Sequence, residues 1–94
     1  MAIKGWKHKG LQDFFEKGST RGIRPDQAAK IETRLDALNA ATCPEDMDVL
    51  PGWRFHEWKG EGKGTYSVNV SGNWRITFQF ESGDAYVVNY EDPH

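Results

Sequence analysis

An α+β fold is predicted for this 94-residue chain, with two N-terminal helices packed on one face of a small, mixed but mainly antiparallel sheet. Two observations predict it. Through residue 41 the apolar residues recur every three or four positions, as on a helix. From residue 65 they alternate, as on a strand with one face buried, and Gly-containing turns separate the alternating runs.

The elements follow in order. Ile3 to Lys7 reads as an extended start. Gly10 to Lys17 reads as a helix, because Leu11, Phe14 and Phe15 share one face. Gly18 ends it, and Ser19 to Arg24 connect it to a longer helix. Pro25 suits that helix's first position, and Asp26 beside it suits the helix N-terminus. Ala28, Ile31, Leu35 and Leu38 then mark its buried stripe to about Ala41. Pro44, Pro51 and Gly52 bound an irregular acidic stretch. Trp53 to Trp58 reads as extended, with Trp53 and Phe55 inward and Arg54, His56 and Trp58 outward. Gly60 to Gly64 reads as a loop. Thr65 to Ser71 turns Tyr66, Val68 and Val70 to the core, and Trp74 to Glu81 does the same with Trp74, Ile76, Phe78 and Phe80. Ser71-Gly72-Asn73 and Ser82-Gly83-Asp84 are turns. Ala85 to Tyr90 is apolar on both faces, as a central strand is.

Size and composition bound the function. The length suits a single domain over residues 1–94. No segment approaches the ~20 apolar residues needed to span a bilayer, and the start has no apolar signal core, so a cytoplasmic protein is expected. Cys43 is the single cysteine, which excludes an internal disulfide or a thiolate metal cluster and marks it as a small packing residue. The formal net charge is −2, which argues against indiscriminate nucleic-acid binding. The charges are segregated, however. Residues 1–34 carry eight Lys/Arg against four Asp/Glu, and residues 51–80 carry four against two. The acidic excess is confined to residues 35–50 and 81–94, which permits a local positive surface.

No phosphate loop, nucleophile elbow or zinc-binding helix is present. His8, His56 and His94 lie far apart without ligand spacing, so no metal and no cofactor are expected. His8 reads as a helix-start residue. His56 and Arg75 are expected on the sheet face away from the helices, and Glu81 and Asp84 are available as ion-pair partners for Arg75. In the closing "NYEDPH", Asp92 and His94 are two apart, so an extended backbone turns both the same way. Imidazoles beside fixed cations suit RNA scission by the RNA's own 2′-hydroxyl, which needs a base, an acid and positive charge for a crowded phosphorane. In that reading His56 and His94 carry protons, Asp92 orients one of them, and Lys59 and Arg75 hold phosphate.

The segments "KHKGLQDFFEKG" (7–18), "RLDALNAAT" (34–42), "FHEWKG" (55–60), "GNWRITFQF" (72–80) and "GDAYVVNYEDPH" (83–94) together resemble the HigB-type toxins (host inhibition of growth) of the RelE/ParE superfamily. The resemblance covers nearly the whole chain. It implies a RelE/ParE-like fold and a ribosome-dependent endoribonuclease that cuts translated mRNA in the A site without a metal. It also implies a neighbouring HigA-type helix-turn-helix antitoxin, through which alone operator DNA is bound. Carried over by position, the site residues are His56, Lys59, Arg75, Asp92 and His94, with the acid and base roles of the two imidazoles left open. Two departures stand out. Pro93 occupies the place where such toxins commonly have tyrosine, and Ser71 stands near the place where some have arginine. The alternatives are a relative that binds ribosome or RNA with impaired catalysis, and a gyrase inhibitor like the ParE proteins.

Overall fold

The computed structural model describes residues 3–60 and 64–92. Its helices are α1 (Lys9–Lys17) and α2 (Ala28–Ala40), and its strands are β1 (His56–Glu57), β2 (Thr65–Ser71), β3 (Trp74–Glu81) and β4 (Asp84–Glu91). The strands form one antiparallel sheet in the order β1-β2-β3-β4. Outside β4 the N-terminal segment runs parallel to it, through bridges Ile3 to Ala85 and Trp6 to Val88. The two helices pack on one face of the sheet. This is the α+β arrangement that the two periodicities predict.

α1 starts one residue earlier than expected because His8 caps it. His8 Nδ1 accepts the Leu11 amide at 3.0 Å, which satisfies one of the amides that a helix start leaves without a partner. Gly18, at φ 76°, closes the helix by donating its N–H to Phe14 O. The connection to α2 passes close against α1: a Cβ on Gly22 would stand 2.4 Å from the Gly10 Cα, so only two glycines allow this crossing. Pro25–Gln27 forms a separate 3-10 turn before α2, so the continuous helix expected from Pro25 begins only at Ala28. Ile31, Leu35 and Leu38 of α2 are fully buried and meet Val68, Ile76, Phe78, Ala85 and Val88 of the sheet in one hydrophobic cluster.

The strands are irregular where the expected alternation is broken. Val87 has φ 54°, and the register between β3 and β4 shifts beside it, from Thr77 opposite Asn89 to Gln79 opposite Tyr86. This bulge inserts one residue, which is why Ala85 and Val88, an odd number apart, are both buried on the helix side. It also explains the unbroken apolar run of β4, because Val87 itself is 41% exposed. Positive φ in a β-branched residue costs about 1–3 kcal/mol. At the other end of β3, Ser82 and Gly83 both have positive φ, as a two-residue hairpin turn requires. Trp74 and Phe80 are only partly buried, with Trp74 stacked on Tyr90 at 4.6 Å.

The cap on α1 carries a pH dependence. Burial lowers the His8 pKa below its ordinary 6.5, by more than the hydrogen bond to its own backbone raises it. A protonated Nδ1 no longer accepts the Leu11 amide. Below pH 6.5 the unfolded chain binds this proton before the folded one does, so stability is lost as pH falls from 6.5 through the lowered folded value. In thermal unfolding at pH 7.5 and pH 5.5, His8→Asn, which caps without titrating, should lose less stability on acidification than the parent. An equal loss in both would assign the dependence elsewhere.

Candidate functional site

The sheet face opposite the helices is a set of cross-strand rows. One row runs His56, Ser67, Thr77, Asn89, and the next runs Asn69, Arg75, Glu91. The rows are two residues apart along each strand, which is about 6.8 Å. Trp58 leans across both of them. Its Nε1 donates to Ser67 Oγ at 3.2 Å, and the Arg75 guanidinium lies 4.3 Å from its ring centroid. Held by the Ser67 hydrogen bond, the indole forms a fixed platform for the cation. It helps to bury Ser67 and Thr77, which are only 7% and 5% exposed although they face away from the core.

The local backbone differs here from the extended Trp53–Trp58 run that alternation predicts. Pro51–Trp53 forms a 3-10 turn, and Arg54 follows it in the left-handed region at φ 48°. Only His56 and Glu57 are strand. Trp53 is still buried, and Phe55 stacks on Tyr66 at 5.9 Å. The turn therefore delivers Arg54 to the polar face without strand alternation.

His56, Trp58, Lys59 and Arg75 line one open groove of about 290 Å³. The structure thus brings together three of the five residues the sequence singles out. His56 and Lys59 are exposed and Arg75 is half-buried. Arg75 pairs with Glu91, Nη2 to Oε2 at 3.9 Å, and not with Glu81 or Asp84 as its neighbours in sequence suggest. The register explains this, since Glu91 lies directly opposite Arg75. The Arg75 Nε–H is buried and has no acceptor among the described residues. A side chain with one weak carboxylate contact, an aromatic floor and an unused donor is well placed to receive an anionic oxygen.

Asp92 is exposed and follows the last residue of β4. Pro93 and His94 lie outside the described residues, as do Glu61 to Lys63 of the Gly60–Gly64 loop.

Three participants were not singled out by sequence reasoning. Glu91 belongs to the site as the partner of Arg75, and the signal was present in the alternation of β4 back from its end. Arg54 borders the polar face, as the alternation expects, but from a left-handed backbone after a 3-10 turn and not from an extended run. Arg34 sits within the buried stripe of α2. Its Nε donates to Asn69 O at 2.7 Å, its Nη1 to Lys30 O at 2.9 Å, and its guanidinium lies over Trp53 at 4.7 Å. It therefore braces, from behind, the strand position that faces Arg75. Burial lowers its pKa, yet two carbonyls keep its donors satisfied.

The sequence matches, over residues 4–94, a family described as the RelE-like toxin of the type II toxin-antitoxin system HigB. It is 46% identical over 92 residues to a protein named Endoribonuclease HigB from Proteus vulgaris, covering 98% of this chain and 99% of that one. It is 33% identical over 95 residues to a protein named Toxin HigB-1 from Vibrio cholerae serotype O1, covering 100% of this chain and 98% of that one. No helix among the described residues is long and apolar enough to cross a membrane.

Proposed function

The chain belongs to the HigB family of RelE-like toxins of type II toxin-antitoxin systems, and from that premise we propose that it is an endoribonuclease that cuts mRNA in the ribosomal A site. The observation that carries this reading is the convergence of His56, Lys59 and Arg75 around one open groove with Trp58. The name of the Proteus vulgaris relative supports the same activity.

The chemistry is transesterification within the RNA. One imidazole of the pair His56 and His94 takes the proton of the 2′-hydroxyl as its oxygen attacks phosphorus. The bond from phosphorus to the 5′-oxygen breaks, and the other imidazole protonates that leaving oxygen. The products are a 2′,3′-cyclic phosphate and a 5′-hydroxyl. Lys59 and Arg75 stabilise the extra negative charge on the phosphorane, and Asp92 orients an imidazole. Every cation in this scheme is a side chain, so no step calls on a metal.

The groove's openness supports dependence on the ribosome. Among the described residues the groove is open, so by itself it supplies little of the orientation that accounts for much of catalysis. A strand already held in the A site arrives with that ordering done. The same reading places the toxin in the cytoplasm, with a HigA-type antitoxin as its neutralising partner.

The test is induction in cells carrying a reporter mRNA and a twin with its start codon removed, followed by transcript-end mapping. New 5′ ends should appear within the translated reading frame of the first reporter and be absent from the second. Equal cutting of both reporters would remove the ribosome from the scheme. Intact transcripts accompanied by a DNA-damage response would favour the gyrase-directed alternative.

A further inference from the structure

Beside the His56 groove lies a second one of about 200 Å³, lined by Arg54, Ser67, Asn69, Gly72, Asn73 and Arg75. Among the described residues no carboxylate lines it. Arg54 and Arg75 stand on its rim as two like charges, and among the described residues Arg54 makes no ion pair. Arg54 is held there by its backbone, in the left-handed region just after the Pro51–Trp53 turn. The floor is also fixed. The Asn69 side-chain amide donates to Gly72 O at 2.9 Å, and Arg34 holds the Asn69 carbonyl from below.

Arg75 borders both grooves, and Asn69 of the second lies one strand repeat, about 6.8 Å, along β2 from Ser67, the cross-strand partner of His56. That offset is of the order of one nucleotide step in an extended single strand. Two guanidinium groups lining one otherwise neutral, polar groove make it a favourable place for an anion. We infer that this second groove is a phosphate subsite, gripped by Arg54, for the phosphodiester adjacent to the one being cut in single-stranded RNA. The inference rests on the nuclease reading, and it adds a residue and a register to it. Phosphate contacts of this kind position the strand and carry no sequence preference.

The test uses the full chain and a 2′-O-methyl RNA oligonucleotide, which cannot undergo 2′-hydroxyl attack, so binding is read without cleavage. Affinity is measured over a salt series for the parent, Arg54→Gln and Arg54→Lys. Arg54→Gln should bind about five- to tenfold more weakly, with a salt slope smaller by about 0.7, the value of one single-strand phosphate contact. Arg54→Lys should restore most of the slope. A neutral methylphosphonate walked along the strand should weaken the parent at one position where it leaves Arg54→Gln unaffected. Unchanged affinity and slope in Arg54→Gln, losses that add at every methylphosphonate position, or no binding by the parent would each overturn the subsite. Because the oligonucleotide cannot be cut, a failure of the cleavage chemistry leaves this measurement standing, and persistent cleavage alongside a parent-like Arg54→Gln removes the subsite alone.

Discussion

Replacing His56 with glutamine is expected to slow cleavage of translated mRNA by about 10²–10⁴-fold, the range for loss of a positioned proton carrier, and to relieve growth arrest. The side chain is exposed on a two-residue strand, so the substitution creates no cavity, and the melting temperature should hardly move. Glutamine keeps hydrogen-bonding capacity at that position and removes only the titrating group. The same substitution at His94 should have a loss of the same order. The double variant should be little slower than either single one, because groups that act in one concerted step do not contribute additively. The pH profile assigns the roles: the parent should show a bell, and each single variant should lose one limb. Loss of the acidic limb identifies the base. Parent-like single-turnover rates in either variant would remove that imidazole from the chemistry.

The face on which His56 sits was legible in the sequence because period-2 alternation states which residues share a side. Ile76 and Phe78 on one side of β3 and Arg75 and Thr77 on the other are found as that rule requires. The rule fails wherever the backbone inserts or turns a residue. Val87, at positive φ, carries a side chain that resists this conformation, so no glycine or asparagine announces that break; Arg54, also at positive φ, still reaches the polar face that alternation gives it. The helix stripe misleads in a related way. Arg34 lies among Ile31, Leu35 and Leu38 at core spacing, and its burial depends on the carbonyl of Asn69, 35 residues away in the chain. Ion pairing is equally non-local: Glu81 and Asp84 are nearer to Arg75 in sequence, but antiparallel register puts Glu91 opposite it. Residue types at the candidate site could thus be read directly, whereas their partners depended on register.

Arg75→Ala should lower kcat/KM by about 10²–10³-fold, the effect of deleting one preorganised group aimed at developing charge. Its stability cost should be small, and the magnitudes decide this. The contact with Glu91 is long and its two side chains are 27% and 35% exposed, so it contributes at most about 1 kcal/mol. The stack on Trp58 contributes about 0.5–1 kcal/mol. Against these, alanine removes a buried Nε–H that has no acceptor among the described residues, a group whose burial costs about 1–3 kcal/mol. The opposing terms nearly cancel, so the melting temperature should shift by only a few degrees while cleavage collapses. Arg75→Lys separates charge from geometry. A lysine keeps the positive charge but has neither the planar fork nor the flat face that lies on Trp58, so it should recover only a minor part of the rate. Full recovery by lysine would mean that charge alone suffices and that the Trp58 platform is idle. A parent-like rate in Arg75→Ala would remove the guanidinium from the transition state, leaving Lys59 as the remaining phosphate contact at the groove.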